Sequence, residues 1–564
     1  MDYKELVAKL ITLEGYTKEQ IKDMLVPIQD IALGDYALPC FQFSKVLKKS
    51  PQEVGIYLKD NLKTNKYISK VEVVNGYLNF YLDKQLVTEN VIKEIDKNGA
   101  KIFTENVGQG KTVCIDYSSV NLAKYMHIGH LSTTMIGESI ARLCESFGYK
   151  VIRINYVGDY GTPFGKMIAA YYKWGKKEDI EKRGVDAIQD LYVKFSSEAE
   201  TDETLIEEAR AIFKNIEAKK GEDYKIYRWF LEISLKEAKR LLDYLGVEFD
   251  SWKGESAYMD DMDATVEKLE KLGLLEVSEG AKVVNLEKYD LGVYLIQKSD
   301  GASLYSTRDV AAAISRYNDY HFDNMYYVTA VQQKRHFQQL FKVLELMGEK
   351  FVNGLEHIYY GMFSLPDAKI ASRRGKQAVL VDLFESVENR VEEIIEEKNF
   401  SDSYREEVKN KIAKASLIYA TIKNGRNKDS VFDIEQSLSF EGDTAPYILY
   451  SYARSRSILR KGSTNIRLEP DYSVFKDNKE AFELIRQIIN AKDTFNLALI
   501  NKEPSIVCKM SMDLCKAINK FYTTQKVIDG NPNTTQAKMD LLQAVLTTLK
   551  FALNLICIDT LEEM

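Results

Sequence analysis

The sequence predicts an α/β fold: a doubly wound parallel-sheet (Rossmann-like) central domain, with a small N-terminal α+β domain and an all-α C-terminal domain. Three patterns lead to this prediction. The stretch from Thr112 to Asn155 alternates strand, loop, helix and strand, which is a βαβ unit. Short helix and strand patterns precede it. After about residue 386 the chain has helical periodicity almost throughout.

Composition places the chain among globular proteins built from several domains. It has 564 residues, 45% hydrophobic and 29% charged, so three or four domains are expected. The net charge of -7 argues against non-specific binding of nucleic acid over the whole surface, so any RNA site must be a local basic patch. Six cysteines without a C-x-x-C pair suggest reduced thiols and a cytoplasmic protein. The apolar run Leu541–Ile558 is interrupted by polar residues and suits a buried helix, so no membrane contact is expected.

Four regions are expected along the chain: residues 1–105, 106–385, 386–441 and 442–564. The second region contains the βαβ unit and a charged helical insertion at about 170–248. Two later apolar runs are predicted to supply the other half of the parallel sheet, Leu291–Ile296 and Met325–Thr329.

Residues 127–130 read His-Ile-Gly-His and lie where the first loop of the βαβ unit enters its helix. Ligands of α/β sheets bind at such loops, and a helix N-terminus attracts phosphate through its free N–H groups. His127 and His130 are therefore predicted to stabilise charge on a reacting phosphate. Gly129 has no side chain, so a flat base could lie against its backbone. The alternative is a pair of histidines that only satisfies the helix end.

The residues around this motif carry a family resemblance. Asp116–Lys124, leading into His127, resembles the arginyl-tRNA synthetase pattern of an acidic residue, Ser, a small residue, Pro, Asn, any residue, Ala and Lys. Val120 stands where many members carry proline. Val157–Gly165 resembles the family's second signature, with Tyr160 where Trp is frequent. The resemblance continues in order at Lys298–Gly301, Tyr305–Asp309, Gln332–Gln333 and Gly442–Lys461.

This resemblance implies an arginine-tRNA ligase of the class I aminoacyl-tRNA synthetases. Such an enzyme uses ATP to convert L-arginine to arginyl-adenylate and transfers it to the 3′ end of tRNA(Arg) for protein synthesis, with Mg²⁺ bridging phosphates. The resemblance assigns tRNA elbow contact to residues 1–105, stem contact to 386–441 and anticodon binding to 442–564. A monomer is the family default. Two alternatives stay open: a catalytically silent RNA-binding paralogue and a nucleotidylyltransferase acting on a small molecule.

A pocket selective for arginine needs carboxylates in fixed orientation, because the guanidinium is planar and permanently charged. Tyr305 and Asp309 are spaced i, i+4 and share one helix face. The resemblance implies that Asp309 pairs with the guanidinium, that Tyr305 is its neighbour and that Gln333 contacts the substrate's backbone groups. Alternatively, Tyr305 only packs and Asp309 pairs with Arg308 or Arg316. The resemblance adds five arginine-binding positions: Asp116, Tyr117, Ser118, Asn121 and His127.

Two further residues near these positions have less definite roles. Glu255 is a candidate second carboxylate, and the sequence leaves its role open. His336 is expected to hold structure rather than to perform chemistry.

The third nucleotide-binding element departs from the wider class. Class I synthetases usually carry a Lys-Met-Ser-Lys loop, and Ser372 here stands where its second lysine is expected. In the family, the lysine before the histidine motif compensates, and Lys124 fills that position. The predicted catalytic residues are therefore His127, His130, Lys124 and Lys369. The predicted ATP-binding residues are these four together with Gly129 and Arg373. The alternative is that the stretch around Lys369 and Arg373 is only a basic surface loop. No protein metal site is predicted.

The C-terminal region begins with interleaved aromatic and cationic residues, which suit stacking and phosphate contact with single-stranded RNA. They are Tyr447, Tyr450, Tyr452, Arg454, Arg456 and Arg460. The alternative is that the tyrosines are core residues and the arginines are solvated, so RNA binding here is implied mainly by the resemblance.

Overall fold

The computed structural model describes residues 2–28, 30–299, 305–366, 379–398, 400–462 and 468–564. Its N-terminal elements are α1 (Tyr3–Leu10), α2 (Lys18–Met24), β1 (Val26–Pro27), β2 (Tyr36–Pro39), α3 (Ser44–Leu47), α4 (Pro51–Asp60), β3 (Ile68–Val74), β4 (Tyr77–Leu82) and α5 (Lys84–Asn98). The four strands form an antiparallel sheet in the order β1-β2-β4-β3. Ser50 and Glu53 form a capping box that fixes the start of α4.

The central elements continue the chain. They are β5 (Thr112–Asp116), α6 (Ile128–Ser146), β6 (Lys150–Ile154), α7 (Thr162–Trp174), α8 (Lys177–Arg183), α9 (Val185–Glu198), α10 (Thr204–Glu217), α11 (Gly221–Leu245), α12 (Met262–Lys271), β7 (Glu276–Ser278), β8 (Ala281–Asn285), β9 (Val293–Gln297), α13 (Tyr305–Tyr320), β10 (Asn324–Ala330), α14 (Lys334–Leu346), β11 (Leu355–Tyr360) and β12 (Phe363–Ser364).

A parallel sheet in the order β11-β10-β5-β6 forms the centre of the molecule. Val113 and Ile115 of β5 are buried in the core that includes α6, while Cys114 between them is buried with α13 and α14. Both faces are therefore covered by helices, which confirms the predicted doubly wound class. The chain order reverses between β5 and β10, so a ligand cleft is expected at their carboxyl ends.

One predicted strand lies in a different sheet. The run Leu291–Ile296 was expected in the parallel sheet, but it forms most of β9, which pairs antiparallel with β8 in a separate sheet of three strands, β7-β8-β9. Burial alternates along β9: Val293 and Leu295 are exposed, whereas Tyr294 and Ile296 are buried. An antiparallel sheet with one open face shows this alternation. The sequence does not indicate this alternation, because apolar residues occupy both faces of the strand.

The C-terminal part is helical. Its elements are α15 (Leu380–Ile395), α16 (Asp402–Ile422), β13 (Ser430–Val431), α17 (Ile434–Ser437), α18 (Ala445–Gly462), α19 (Lys479–Asn501), α20 (Pro504–Thr524) and α21 (Pro532–Leu555). The apolar run Leu541–Ile558 lies mostly in α21, where Leu541, Val545 and Leu549 are fully buried, which confirms the buried helix. Within the described ranges no helix is both long and apolar enough to cross a bilayer.

Candidate active site

A cleft of about 620 Å³ opens at the carboxyl ends of β5 and β10, where the sheet order reverses. Its walls come from the β5–α6 loop, the first turn of α6, one face of α13 and the segment that joins β10 to α14. Of the residues predicted from sequence, the cleft brings together Asp116, Ser118, Asn121, His127, Gly129, His130, Tyr305, Asp309 and Gln333. Glu255 and His336 line the same cleft.

The two histidines cap the N-terminus of α6. The Gly129 N–H donates to His127 Nδ1 at 3.1 Å, and the His127 N–H donates to His130 Nδ1 at 3.0 Å. This is the reciprocal arrangement of a capping box, with imidazoles in place of the usual hydroxyl and carboxylate. Each Nδ1 accepts a hydrogen bond and so carries no proton, which assigns the ring proton to Nε2 in the neutral form.

Burial keeps both rings neutral. It lowers the pKa of His130 to about 3, and the neighbouring His127 adds to that shift. Burial also lowers the pKa of His127. The ring centroids lie 4.0 Å apart, so two charged imidazolium rings here would repel each other. Near neutral pH the pair therefore presents two Nε2–H donors at a helix N-terminus, an arrangement that suits an anion.

A side chain at position 129 would crowd the His127 ring. A Cβ atom at position 129 would lie 2.9 Å from His127 Cε1 and 3.0 Å from its Nδ1. The missing side chain therefore makes room for the capping imidazole. This reason is separate from the predicted contact with a flat base, which stays a prediction.

The loop after β5 holds non-glycine residues in the left-handed region, with φ of 70° at Ser118, 48° at Ser119 and 60° at Ala123. Such strain persists only where surrounding contacts enforce it, and it is concentrated at functional sites. The Ser118 N–H donates to Thr133 Oγ1 at 3.2 Å, and Ser118 Oγ accepts from Thr134 Oγ1 at 3.0 Å. These bonds tie the loop to the first turns of α6.

Two of the predicted arginine contacts are otherwise engaged. Asp116 forms a buried ion pair with Arg316, with Oδ2 and Nη1 2.8 Å apart, so its negative charge is already matched. Tyr117 is fully buried away from the cleft, and its hydroxyl donates to Glu138 at 2.7 Å. The prediction of a substrate contact is therefore corrected for the Tyr117 side chain. Its ring packs against Gly137, where a Cβ would lie 2.3 Å from the tyrosine Cγ.

The opposite wall of the cleft carries two carboxylates, each held by one oxygen. Asp309 Oδ2 lies 2.7 Å from His336 Nε2, so neither Arg308 nor Arg316 is its partner. Arg308 pairs instead with Glu255, at 3.0 Å between Nη2 and Oε2. Burial raises the pKa of Glu255 to about 7, and the Arg308 guanidinium opposes that shift.

The second signature segment, Val157–Gly165, positions the part of this wall that carries Glu255. Asp159 Oδ1 accepts the Ser256 N–H at 2.8 Å, and Asp159 Oδ2 accepts the Ser256 hydroxyl at 2.6 Å. A Cβ at Gly254 would lie 2.5 Å from Asp159 Cγ. Asp159 therefore fixes the segment that carries Glu255.

Sequence reasoning missed the role of Arg316. The signal available was its place two turns after Asp309, on the same helix face and beyond the apolar run 310–314. An arginine at such a position is commonly buried with a partner. It is 2% exposed here.

The predicted cations lie elsewhere or outside the described residues. Lys124 does not line the cleft; its Nζ lies over the ring of Tyr192, 5.8 Å from the centroid, beside a separate groove of about 920 Å³. Lys369 and Arg373 lie outside the residues that the structure describes. Their predicted roles stay predictions.

Comparison with protein families finds three matches along the chain. The family described as tRNA synthetases class I (R), catalytic domain, matches residues 91–434. The DALR anticodon binding domain matches residues 448–564, and the arginyl tRNA synthetase N terminal domain matches residues 2–82.

Similar proteins and structures cover nearly the whole chain. The chain is 41% identical over 567 residues to the arginine--tRNA ligase of Clostridium perfringens (strain 13 / Type A), with 100% of both sequences covered. It is 39% identical over 566 residues to that of Halothermothrix orenii, again with 100% coverage of both. The Thermus thermophilus arginyl-tRNA synthetase structure matches with a TM-score of 0.80 at 22% identity, covering 96% of each chain. The Plasmodium falciparum structure matches with a TM-score of 0.77 at 22% identity, covering 96% of this chain and 94% of that one.

Proposed function

The chain belongs to the class I arginyl-tRNA synthetase family, and from that membership we propose how its cleft activates arginine. Its activity is arginine-tRNA ligation: L-arginine and ATP give arginyl-adenylate and pyrophosphate, and the arginyl group then passes to the 3′ end of tRNA(Arg). One observation supports the residue roles most strongly. The anion-binding start of α6 and the two carboxylates, Asp309 and Glu255, line one cleft.

ATP is proposed to bind with its triphosphate at the start of α6 and its adenine near Gly129. The arginine carboxylate attacks the α-phosphorus, and the bond from that phosphorus to the bridging oxygen of pyrophosphate breaks. Negative charge grows on the α-phosphate and on departing pyrophosphate. The Nε2–H groups of His127 and His130 are donors that need no rearrangement as this charge develops.

Arginine is proposed to place its guanidinium between Asp309 and Glu255, with Tyr305 at the mouth of the cleft. Among the described residues, each carboxylate has one oxygen engaged by a protein donor, and the other is proposed to bind the substrate. Asn121, Ser118 and Gln333 are proposed to face the amino and carboxylate groups of arginine. Asp116 contributes through its pair with Arg316, which keeps a further negative charge from competing for the guanidinium.

Transfer requires the terminal adenosine hydroxyl of tRNA to attack the carbonyl carbon of the adenylate, which releases AMP. No covalent enzyme intermediate is needed, because positioning and charge stabilisation suffice. Mg²⁺ is proposed as the ion that accompanies ATP on its phosphates and neutralises their charge. Within the described ranges, no three His, Cys, Asp or Glu side chains are arranged to hold a metal ion.

The helical region from α18 onward is proposed to bind the anticodon arm. Tyr450 is exposed, and Arg454 lies over the ring of Tyr522, 5.5 Å from the centroid. These are the side chains of the predicted set that remain best placed for RNA. Tyr452 is buried, and Arg456 and Arg460 pair with Glu562 and Glu563 near the end of the chain.

Charging, pyrophosphate exchange and RNA binding, measured on the same protein, separate this function from its alternatives. The protein is incubated with labelled arginine, ATP and total tRNA, and acid-precipitable label is counted. Arginine-dependent charging supports the proposal. Nucleotide-dependent pyrophosphate exchange with another small molecule and no RNA requirement indicates a nucleotidylyltransferase, and RNA binding without any turnover indicates a silent paralogue.

A further inference from the structure

The activation chemistry proposed above assigns no role to His336, although this histidine shares a hydrogen bond with Asp309. His336 lies in the first turn of α14, and its Nε2 reaches across to Asp309 Oδ2 on α13 at 2.7 Å. Both side chains are mostly buried, at 14% and 21% exposure. The contact therefore joins two helices at the wall of the cleft.

Aromatic rings surround His336 and fix its orientation. Its ring centroid lies 5.5 Å from that of Tyr305, 5.8 Å from that of Tyr294 and 5.4 Å from that of Phe337. A ring packed on several sides turns only when its neighbours move. Nε2 therefore stays directed at Asp309.

A fixed donor matters because an aspartate carboxylate rotates about its last torsion and can present either oxygen. A guanidinium binds well only when the carboxylate plane is aligned with its N–H groups. Glu255 is oriented by the cation of Arg308, which offsets part of its charge within the protein. The His336 imidazole donates from Nε2 and so orients Asp309 without the permanent charge that an arginine would place beside this carboxylate.

We propose that His336 is a positioning residue for arginine selection: it holds the Asp309 carboxylate so that a cationic guanidinium is preferred over a neutral group of the same shape. This inference depends on the proposed function. The neutral comparison is L-citrulline, whose ureido group replaces one nitrogen of the guanidinium by oxygen. Citrulline gains no ion pair from Asp309, so loss of the His336 contact should weaken arginine more than citrulline.

The test compares His336→Leu, which removes the donor, with His336→Gln, which keeps an N–H near the position of Nε2. Tm, kcat, KM for arginine, KM for ATP and the inhibition constant of citrulline are measured for each. His336→Leu should raise KM for arginine about tenfold or more, because a hydrogen bond to a charged group is lost. KM for ATP, kcat and the inhibition constant of citrulline should each change less than about threefold. These changes are small compared with the expected rise in KM for arginine. His336→Gln should recover most of the arginine affinity.

Three results overturn the inference. They are an arginine KM unchanged in His336→Leu, an equal rise in the KM values for arginine and ATP, and a glutamine variant no better than the leucine variant. If His336→Leu does not fold, His336→Ala provides the same test: added imidazole should lower its arginine KM, and no response to imidazole overturns the inference. A wild-type protein that charges no tRNA with arginine contradicts the proposed function. Normal wild-type charging with unaffected variants contradicts the role of His336 alone.

Discussion

The proposed phosphate end of the cleft and its proposed guanidinium end differ in how far along the chain their contacts reach. At the start of α6, His127 and His130 are held by N–H groups of the same four-residue turn. On α13, Asp309 is held by a histidine 27 residues away on another helix. Asp116 and Glu255 likewise depend on arginines of α13.

This difference matches the chemistry of the two ends. A helix terminus supplies neutral donors for an anion without distant partners. A site for a cation instead needs a carboxylate whose charge is not already balanced by a cation of the protein. Here Arg316 neutralises Asp116 and Arg308 pairs with Glu255, while Asp309 has a histidine as its partner. We therefore propose that the distribution of arginines determines where a guanidinium can bind.

The largest expected effect is at the guanidinium end. Asp309→Asn removes the carboxylate charge while keeping the shape of the side chain. It should lower kcat/KM for arginine by about 10³-fold and leave KM for ATP nearly unchanged, because a desolvated charge pair is lost. Steady-state charging kinetics measure both constants. Asp319→Asn on the same helix, where Asp319 meets Lys253 at the surface, is the control. Unchanged arginine kinetics in Asp309→Asn remove this residue from the pocket.

The next effect is at the phosphate end. His130→Ala removes one donor to the transition state and should lower kcat by about 10²-fold. His130→Gln can still accept the His127 N–H, as glutamine does in a capping box. It should therefore restore Tm more fully than kcat. If Tm and kcat recover together, His130 acts only as a cap and not as a transition-state donor.

A smaller effect tests whether a cation outside the cleft serves the phosphate end. Lys124→Ala should reduce adenylate formation about tenfold if Lys124 moves from Tyr192 to the phosphates when ATP binds. Pyrophosphate exchange follows this step directly. Intact exchange shows that Lys124 does not replace the missing second lysine. Lys194→Ala is a matched control, because Lys194 lies over the ring of Trp174.

The smallest effect is a pH dependence that separates the two ends. Glu255 has a pKa of about 7, so acidification below pH 7 should remove its charge and lower kcat/KM for arginine. The pKa values of His127 and His130 are lowered by burial, so the phosphate end should not lose activity over the same range. Glu255→Gln should flatten the arginine profile between pH 6 and 8. A profile that stays as steep in this variant assigns the titration to another group.

The same carboxyl affects folding with a defined sign. Its pKa is raised from 4.5 in the unfolded chain to about 7 in the native protein. The native state therefore binds more protons between these values, and the free energy of unfolding should fall as pH rises through this window. Glu255→Gln should remove that part of the slope in a denaturant series. A slope that does not change on substitution contradicts the raised pKa.

The sequence predicted features that depend on neighbouring residues. The βαβ unit and the cap at His127–His130 follow from periodicity and from residues within one turn, so both could be recognised without coordinates. The strand Leu291–Ile296 was correctly recognised as extended but assigned to the wrong sheet. Strand pairing depends on a partner that is distant in the sequence. Because apolar residues occupy both faces of β9, the sequence did not indicate which face is exposed.

The sequence by itself therefore determined the fold class, the motif at the start of α6 and the family resemblance, because backbone hydrogen bonds and helix caps are formed by residues close in the chain. Only the tertiary structure decided that Asp116 faces Arg316, that Tyr117 turns into the core and that Asp309 meets His336. Which partner a charged side chain finds depends on how helices and strands pack. That packing sums many weak contacts between residues far apart in the sequence.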